Sequence, residues 1–591
     1  MGTKYKDFLV YQIGGQPSAI DKAIGMINRT QSVWRLRWAE DKIEKPSNRD
    51  PSVHFSLLAR EERKVGVCES RFMIGVTEGL VDANNLLSLF DSDSATALIT
   101  EYEWKAQRSY DLPEIFWALA LTNVCFRANV NDSCQQTNCI GYKKHHIDRL
   151  LLRVLDIHIC DECMNHVSAK YKYQVSDLRN LVYMLKRPRE YESSPIPTIE
   201  PLPVLESQLK RQLKLGRTDT FARCGIVLVM HFLTDLVPFI EGLKRLGAEE
   251  KSIALLVKPY PYAQRTLVHS IFCQQYPRIR LEYVDKLPPG DDLLAELTAH
   301  CQSTSGGKIL VIEDGGYVVP FLHRRYSREK DFCIGAVEQT TKGLREDEKI
   351  EPAEIHFPIL NVAKSKFKEE YESPLVGRAA VASIQRLLPD ESLSGKKALV
   401  IGFGSIGREV ANALRGIGMI VLVCDLDAEA VASARVRGFE AETSSLKLVK
   451  EASLVVGTTG RLGIGKELID NMKGKTIIAS TSSDQVEIDT GYLGQLAKYS
   501  RYEQGLGTYY EVGSGSSQRT IILLADGFPI NFYSGSGIPN KAIDPILAQL
   551  FIAAIHIARE HKQLQRGILP IMDDLADKYG LLADFLATYS R

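Results

Sequence analysis

The feature that most constrains the fold of this chain is a glycine-rich turn between two apolar segments in its C-terminal half. Residues 396–427 read KKALVIGFGSIGREVANALRGIGMIVLVCDLD, in which Gly402, Gly404 and Gly407 follow the spacing G-x-G-x-x-G. The apolar runs on either side predict two buried parallel strands joined by an amphipathic helix, and the second strand ends at Asp425, 23 residues past Gly402. This order of elements predicts a βαβ unit of the Rossmann type.

Each residue of the turn fits a dinucleotide. Gly402 permits the tight turn, Gly404 lets the backbone approach a pyrophosphate, and Gly407 lets the helix pack closely on the strand. The helix N-terminus offers free N–H groups to the phosphates. Asp425 can accept hydrogen bonds from a ribose diol and would repel a 2′-phosphate, so the sequence predicts NAD rather than NADP. The alternative is a Rossmann unit that keeps its glycines for packing and binds no dinucleotide.

Composition narrows the class of protein. A chain of 591 residues and 66.0 kDa predicts two to four domains. Lys plus Arg and Asp plus Glu both count 73, so binding to nucleic acid is not supported. The start, MGTKYKDFLVYQIGG, lacks the apolar core of a signal peptide. The sequence contains no run of 18 apolar residues, so we expect no transmembrane helix. The 11 scattered cysteines fit a reducing compartment, so we expect a cytoplasmic protein without membrane contact.

Proline content and alternating apolar segments suggest the domain boundaries. The stretch LKRPREYESSPIPTIEPLPV carries five prolines and predicts a linker. Beyond it, strand-like and helix-like segments alternate, which predicts an α/β fold with two doubly wound Rossmann-like domains. The expected domains are a mixed N-terminal domain (1–185), the linker (186–204), a substrate-type domain (205–375, completed by 535–591) and an NAD-binding domain (376–534).

The N-terminal domain contains a candidate zinc site. Residues 134–163 read CQQTNCIGYKKHHIDRLLLRVLDIHICDEC, in which Cys134 and Cys139 form one pair and Cys160 and Cys163 another. Two cysteine pairs at the ends of a helical segment suit tetrahedral zinc, which would stabilise this domain. The first pair is wider than usual, and a histidine could replace a cysteine; the neighbours are His145, His146, His158 and His166. The alternative is that these cysteines are buried apolar fillers.

Residues 205–560 resemble the S-adenosylhomocysteine hydrolase family in several motifs that follow the family's order. The stretch ALRGIGMIVLVCDLD is similar to the family's A-L-R-G-F-G-A-x-V-x-V-T-E-I-D, and IILLADGFPIN is similar to I-I-L-L-A-E-G-R-L-V-N. Shorter matches are MH (230–231), EDGG (313–316), EQTTKG (338–343), NV followed by KSKF (361–367), TTG (458–460) and VEID (486–489).

The resemblance implies an NAD-dependent reaction at a nucleoside. Members of the family oxidise the ribose 3′-hydroxyl, remove the 4′ proton, eliminate the thiol, add water and reduce the ketone. The family is also implied to be oligomeric, although its C-terminal motif that reaches the cofactor of a neighbouring copy is absent here. By the resemblance, the cofactor positions are Thr340, Thr341, Asp425, Thr458, Thr459 and Asn531.

Three residues match catalytic positions of the family. Lys364 corresponds to the lysine near the 3′-hydroxyl, and Asp314 and His231 correspond to a family aspartate and histidine. Each has an ordinary structural alternative. His231 could be a satisfied core histidine, Lys364 a surface lysine at a helix start, and Asp314 a turn-forming residue before two glycines.

Other family positions are replaced. The glutamate that binds the ribose becomes Gln339, the acid after K-S-K-F becomes Lys368, and four residues are missing before Lys364. The two family histidines correspond to Ser483 and Ile538. Because elimination of the thiol needs placed acids and bases, these changes predict loss of the standard hydrolysis.

Three hypotheses therefore remain open. The chain could be an NAD-binding nucleoside protein that keeps at most the redox half of the chemistry, or a pseudoenzyme. It could be a complete hydrolase that uses other bases. It could also be a regulatory or defence-type scaffold in which NAD is a structural ligand or signal and the N-terminal domain binds a protein partner.

Overall fold

The architecture was analysed in a computed structural model of the chain. The residues that it describes are 7–13, 20, 23–24, 27, 35–38, 72–77, 88–91, 96–100, 120–122, 124–125, 199–260, 262, 268, 271–272, 275–276, 278–284, 287–326, 332–503, 506–514, 518–533, 537–569 and 573–589. The chain divides into two compact units, residues 1–197 with 266–277, and residues 198–265 with 278–591. The four cysteines of the predicted zinc site lie outside the described residues.

The first unit contains a five-stranded sheet in the order β2-β1-β3-β5-β4. Its pairs are parallel except for the antiparallel pair of β4 and β5. The sheet is therefore mixed. Its strands are β1 (Asp7–Ile13), β2 (Arg35–Trp38), β3 (Phe72–Thr77), β4 (Ser88–Asp91) and β5 (Thr96–Thr100).

The second unit contains two further sheets. The first of these, called here the substrate-side sheet, has seven parallel strands in the order β20-β11-β10-β9-β6-β7-β8. Its strands are β6 (Gly225–Met230), β7 (Ile253–Val257), β8 (Arg280–Tyr283), β9 (Ile309–Glu313), β10 (Cys333–Glu338), β11 (Pro358–Asn361) and β20 (Gly567–Leu569).

The other sheet, the nucleotide-side sheet, has eight strands in the order β14-β13-β12-β15-β16-β19-β18-β17. It is parallel up to β19, and β18 and β17 add an antiparallel hairpin at one edge. Its strands are β12 (Lys397–Ile401), β13 (Ile420–Cys424), β14 (Glu440–Glu442), β15 (Leu454–Gly457), β16 (Lys475–Ser480), β17 (Ala497–Glu503), β18 (Gly507–Val512) and β19 (Arg519–Leu524).

Helices accompany both sheets. The helices of the second unit are α1 (Pro203–Lys214), α2 (Leu236–Arg245), α3 (Asp291–Ser305), α4 (Val318–Arg325), α5 (Thr341–Asp347), α6 (Ser373–Leu387), α7 (Ser405–Gly416), α8 (Ala428–Val436), α9 (Lys466–Asn471), α10 (Thr490–Leu496), α11 (Asn540–Glu560), α12 (Asp573–Lys578) and α13 (Leu581–Tyr589). A π-helical turn, Phe367–Glu372, precedes α6.

The central strands are apolar throughout because both faces of each sheet are covered. Every residue of β6, β7 and β9 is buried, and so are all but the first residues of β12 and β16. Continuous apolar runs of this kind are typical of parallel sheets covered on both faces. The prediction of two Rossmann-like α/β domains is confirmed.

The end of the chain completes the substrate-side sheet. Strand β20 pairs in parallel with β11, and helix α11 packs on β9 and β10. The carboxylate of Asp544 in α11 accepts hydrogen bonds from the backbone N–H groups of Val204 (2.8 Å) and Leu205 (2.9 Å). These groups lie in the first turn of α1 and have no partner within that helix. Helix α1 therefore begins at Pro203, inside the predicted linker, and is fixed by a residue 340 positions away.

Helix α11 is also long and apolar enough to cross a membrane, with a mean hydropathy of 1.5. Of its most apolar window, 78% is buried within the protein. It is a core helix of the second unit.

Candidate functional site

A cavity of about 760 Å³ opens at the carboxyl ends of β12, β13 and β15, and it is called here the glycine-turn cavity. Ligands of open α/β sheets bind at this end of the strands. The predicted cofactor residues that line it are Gly402, Gly404, Asp425, Thr458 and Thr459. The structure thus brings together five residues that lie up to 57 positions apart in the chain.

The three glycines of the turn have different surroundings. Gly402 has a φ of +96°, a conformation that favours glycine. A Cβ on Gly407 would collide with the carbonyl oxygen of Gly402, so this glycine allows the helix to pack on the turn. A Cβ on Gly404 would meet no atom within 4 Å, which leaves free space in front of the N-terminus of α7. A phosphate group needs this free space.

Asp425 connects the second strand to the turn. One carboxylate oxygen accepts a hydrogen bond from the N–H of Phe403 (2.6 Å) and the other from the N–H of Asp427 (2.9 Å). The carboxylate is therefore held in place at the cavity wall, where its remaining lone pairs can accept hydroxyl groups. This geometry fits the predicted contact with a ribose diol.

Thr458 and Thr459 use their side-chain hydroxyl groups in hydrogen bonds within the protein. Thr458 donates to the carbonyl oxygens of Ile401 (3.0 Å) and Gly402 (2.9 Å). The N–H and hydroxyl groups of Thr459 both donate to Glu487. Burial raises the pKa of Glu487, although four donors, including Ser482, oppose the rise. Both threonines thus fix the backbone that borders the cavity.

A second cavity, of about 130 Å³, lies between the two sheets of the second unit and is called here the central cavity. Its polar lining comes from the ends of substrate-side strands, from the π-helical turn and from the nucleotide-side sheet. Those polar residues are His231, Asp235, Asp314, Gln339, Thr340, Lys368, Glu372, Thr481, Ser483 and Asn531. The structure therefore brings His231 and Asp314 together, and adds residues that had no predicted role.

Asp314 is the most heavily bonded of these residues. It accepts a hydrogen bond from Gln339 (2.6 Å), contacts the Nε2 of His231 at 3.2 Å and forms an ion pair with Lys258. Burial alone would raise the pKa of its carboxyl group, but Lys258 and His231 outweigh burial and hold that pKa well below its ordinary value. The Nδ1 of His231 lies 3.0 Å from the hydroxyl of Tyr262, so both ring nitrogens are engaged.

The partner of Asp314, Lys258, was missed by the sequence analysis. It is fully buried, and Asp314 and Asp484 together raise its pKa although burial acts to lower it. Asp484, on the nucleotide side, also accepts hydrogen bonds from the hydroxyls of Tyr260 (2.6 Å) and Tyr317 and pairs with Lys342 at 3.0 Å. This set of residues is called here the buried ion network. It joins the two halves of the second unit and shares Asp314 with the lining of the central cavity.

The available signal for Lys258 was weak. The segment IALLVKPY places a lysine immediately after a buried strand, at the end of the strand where ligands bind. A lysine in that position is rarely buried without a partner. Its two acidic partners are 56 and 226 positions away, beyond the reach of any motif.

The structure separates the first and the last of the three lysines of the KSKFK segment. Lys364 is exposed and is not among the residues that line the central cavity. Lys368 lines it instead, with a side chain that is 15% exposed, and donates to Glu372 at 2.7 Å. The predicted place of Lys364 beside a reacting hydroxyl therefore gains no support from its position.

Asp235 is a further residue that had no predicted role. It lies at the start of α2 and faces the central cavity. Among the described residues its carboxyl group has no ion-pair partner, whereas Glu372 has Lys368 and Asp314 has Lys258. Burial raises the pKa of Asp235 to about 7, although backbone N–H groups act to lower it.

The remaining cofactor residues lie at the central cavity or beside it. Thr340 caps α5 by accepting a hydrogen bond from the N–H of Gly343 (3.0 Å), and Thr341 is the first residue of that helix. Thr340 and Asn531 both line the cavity. The side-chain oxygen of Asn531 is buried without a hydrogen-bond partner in the described protein, which is costly unless a ligand donates to it. Together with the free space at Gly404, this oxygen fits a dinucleotide that reaches from one cavity to the other.

The four cysteines predicted to bind zinc cannot be placed, as they fall in the part of the chain left undescribed. Within the described residues no group of three or more metal-ligating side chains occurs. The zinc site thus stays a prediction.

Comparison with known proteins agrees with these features. Residues 377–537 match the family model of the S-adenosyl-L-homocysteine hydrolase NAD-binding domain. The chain is 28% identical over 266 residues to the adenosylhomocysteinase of Acinetobacter baylyi, covering 42% of this chain and 56% of that protein. It is 29% identical over 262 residues to the adenosylhomocysteinase of Aquifex aeolicus, covering 44% of this chain and 62% of that protein.

The chain spans less than two thirds of the length of these curated relatives. A solved structure of a phosphoglycerate oxidoreductase from Vibrio cholerae is 11% identical, covers 57% of this chain and 99% of its own, and has a TM-score of 0.32. A likeness this weak supports no inference about function. The sequence matches and the glycine turn lead to one conclusion: residues 377–537 correspond to the NAD-binding domain of the S-adenosyl-L-homocysteine hydrolase family, and the C-terminal part of this chain is similar to that family but divergent from it.

Proposed function

We propose that this protein binds NAD and a ribonucleoside, exchanges a hydride between them, and does not hydrolyse S-adenosylhomocysteine. One observation carries the proposal. Ser483 and Ile538, the residues that correspond to two family histidines, both line the central cavity. The histidine positions therefore border the proposed reaction space, and neither replacement titrates near neutral pH.

The residues of the two cavities fit the proposed binding of NAD and of a ribonucleoside. Gly404 and Asp425 would hold the phosphates and one ribose of NAD, and Thr340 and Asn531 would lie toward its nicotinamide end. When bound, NAD supplies an acceptor for a hydride. At the central cavity, Gln339 and the His231–Asp314 pair are fixed by hydrogen bonds and can position a ribose without reorganising.

The missing groups explain why turnover should stop at the redox step. Removal of the 4′ proton requires a base, and departure of the thiol requires an acid. A positioned acid or base typically contributes about 10²–10⁴ in rate, so the loss of two groups leaves little hydrolysis. Gln339 cannot replace an acidic ribose ligand as a base, because an amide does not accept a proton at neutral pH.

Small molecules released from the purified protein and identified by mass spectrometry would test the cofactor. We expect NAD, either co-purified or bound on addition. Mixing the NAD-loaded protein with adenosine should produce the absorbance band of reduced nicotinamide, while incubation with S-adenosylhomocysteine should release no measurable homocysteine. Turnover of about 1 s⁻¹ or more, within the range of ordinary enzymes, would overturn the proposal.

A second candidate function is complete hydrolysis with other bases. Asp235 favours it, because this carboxyl group faces the cavity, has no ion-pair partner among the described residues and has a pKa of about 7. Such a group could accept a proton near neutral pH. In that case homocysteine release would be measurable in the wild type and would fall sharply in Asp235→Asn. The same assay therefore separates the two functions.

For the N-terminal domain we propose structural zinc held by Cys134, Cys139, Cys160 and Cys163. Metal analysis of protein purified without chelators should give about one zinc per chain, and Cys160→Ser should reduce it. We further propose a cytoplasmic homo-oligomer whose N-terminal domain contacts a protein partner; light scattering of the full chain tests the oligomer. If adenosine produces no reduction while NAD stays bound, a regulatory scaffold with NAD as ligand becomes the better account.

A further inference from the structure

The π-helical turn between β11 and α6 contains a charged pair to which the sequence analysis gave no catalytic role. Lys368 and Glu372 both line the central cavity, and their side chains are 15% and 12% exposed. They form an ion pair at 2.7 Å. Isolated π-helical turns are rare and occur often at functional sites, because the extra residue redirects a side chain.

The turn is anchored on both sides of Lys368. Ser365 is buried and donates a hydrogen bond to Gln549 of α11 at 2.8 Å. Ser373 donates to the carbonyl oxygen of Lys368, also at 2.8 Å. Phe367, next to Lys368, is buried. The backbone that carries the lysine is thus fixed, which is the condition for a precisely placed ammonium group.

The pair lies beside residues that fit the cofactor. Thr340 and Asn531 line the same cavity, as does Ile406 in the first turn of α7, two positions after Gly404. The other charged groups of the cavity are already engaged or lie on a different wall. His231 and Asp314 bind one another, and Asp235 belongs to the start of α2.

We propose that Lys368 and Glu372 form the proton-transfer pair of the central cavity, in the role that family resemblance assigns to Lys364. This inference rests on the proposed redox function. In the step, the C–H bond of a secondary alcohol breaks and its electron pair leaves as hydride to bound NAD, which is reduced. The hydroxyl proton passes to the carboxylate of Glu372, and a ketone remains. The ammonium group of Lys368 stabilises the negative charge that develops on the oxygen.

The two lysines offer a matched comparison, because they stand four residues apart on one segment and both become neutral as glutamine. In NAD-loaded protein mixed with adenosine, Lys368→Gln and Glu372→Gln should slow reduction of the cofactor by about 10²-fold or more. Lys364→Gln should stay within about threefold of wild type, since its side chain is outside the cavity. Equal rates for Lys368→Gln and wild type would overturn the assignment.

Failure of the proposed function is distinguishable from failure of this assignment. If wild-type protein with bound NAD shows no reduction, the redox function falls, and the proton-transfer role falls with it. If all variants reduce NAD equally, only the role of the pair falls. A Lys368→Arg variant that restores part of the rate would support a requirement for positive charge.

A second measurement does not depend on activity or on the folding of a variant. Wild-type protein is treated with acetic anhydride, with and without NAD plus adenosine, and acetylation is measured by peptide mass spectrometry. We expect bound NAD and adenosine to protect Lys368 and to leave Lys364 unchanged. Equal acetylation of Lys368 under both conditions would show that it does not face the ligands.

Discussion

The two cavities of the second unit are lined by different kinds of residues. The glycine-turn cavity is about 760 Å³, and its lining includes four glycines as well as Asp425 and Thr458, which hold neighbouring backbone groups. The central cavity is about 130 Å³ and is bordered by side chains that bind one another, such as Asp314 with His231 and Lys368 with Glu372. Ligand binding in the glycine-turn cavity would depend on free space, and the arrangement of the central cavity depends on paired charges.

This difference separates two ways in which a site can diverge. Free space beside a glycine survives almost any change elsewhere, because only a new side chain at that position can fill it. A charge-balanced cluster is different, since the loss of one member leaves its partners buried and unpaired. The glycine turn and Asp425 on the cofactor side match the family's pattern, whereas Gln339, Lys368, Ser483 and Ile538 on the other side differ from it.

The largest effect should come from breaking the buried ion network. Lys258→Met leaves Asp314 and Asp484 with less compensating charge in a buried place. We expect the free energy of unfolding to fall by about 3–5 kcal/mol, measured by urea denaturation. Lys349→Met is the control, because Lys349 is 69% exposed and pairs only at the surface, where about 0.5 kcal/mol is typical. A loss below about 1 kcal/mol in Lys258→Met would contradict the view that charge balance holds this region.

Filling the free space should affect binding instead of folding. Gly404→Val adds a Cβ that would meet no protein atom within 4 Å, so the fold should tolerate the change while the phosphates cannot approach. We expect NAD to bind at least about 100-fold more weakly, or about 2.7 kcal/mol, by calorimetry. Gly416→Val serves as the control because that glycine also has no neighbour within 4 Å. Unchanged affinity in Gly404→Val would remove the cofactor assignment.

A smaller effect should follow from Asp235, with a defined direction in pH. Because the pKa in the folded protein is about 7, above the ordinary value of 3.8, the folded state is favoured by protonation. This contribution is complete below about pH 4 and is lost as the pH rises through about 7. Asp235→Asn removes the dependence, so the variant should be more stable than wild type at about pH 8, and the two should be equally stable at about pH 4. If the free energies of unfolding of the two proteins depend on pH in the same way, the charged form of Asp235 does not destabilise the folded protein.

The smallest change concerns selectivity in the glycine-turn cavity. Asp425→Asn keeps an acceptor for the N–H of Phe403 but removes the negative charge. We expect NAD to bind about tenfold more weakly, or about 1.4 kcal/mol, and the preference for NAD over NADP to shrink. Asp425→Ala also frees the Phe403 N–H and should lose more. Binding constants for both cofactors would decide, and an undiminished preference for NAD in both variants would count against a role for this charge.

What could be predicted from the sequence follows the same division. The glycine turn and Asp425 lie within 24 residues, so local spacing was enough to predict the fold and the cofactor side. The buried ion network could not be predicted, because Lys258 and Asp484 are 226 positions apart and follow strands of different sheets. The assignment of Lys364 followed the register of the KSKF motif. In the structure Lys368, which lies on the π-helical turn, lines the cavity and Lys364 does not.

The interaction of Asp544 with the first turn of α1 has a consequence for biosynthesis. A ribosome makes α1 and most of the substrate-side sheet first, and it then makes the whole nucleotide-side sheet before α11 and β20 emerge. Until then the edge strand β11 and the N–H groups of Val204 and Leu205 have no partners from the C-terminal segment. The later-made half can therefore finish folding while the earlier-made half is still incomplete. A nascent chain in this condition exposes an unpaired sheet edge. Such an edge can pair with another chain and aggregate unless a chaperone binds it first.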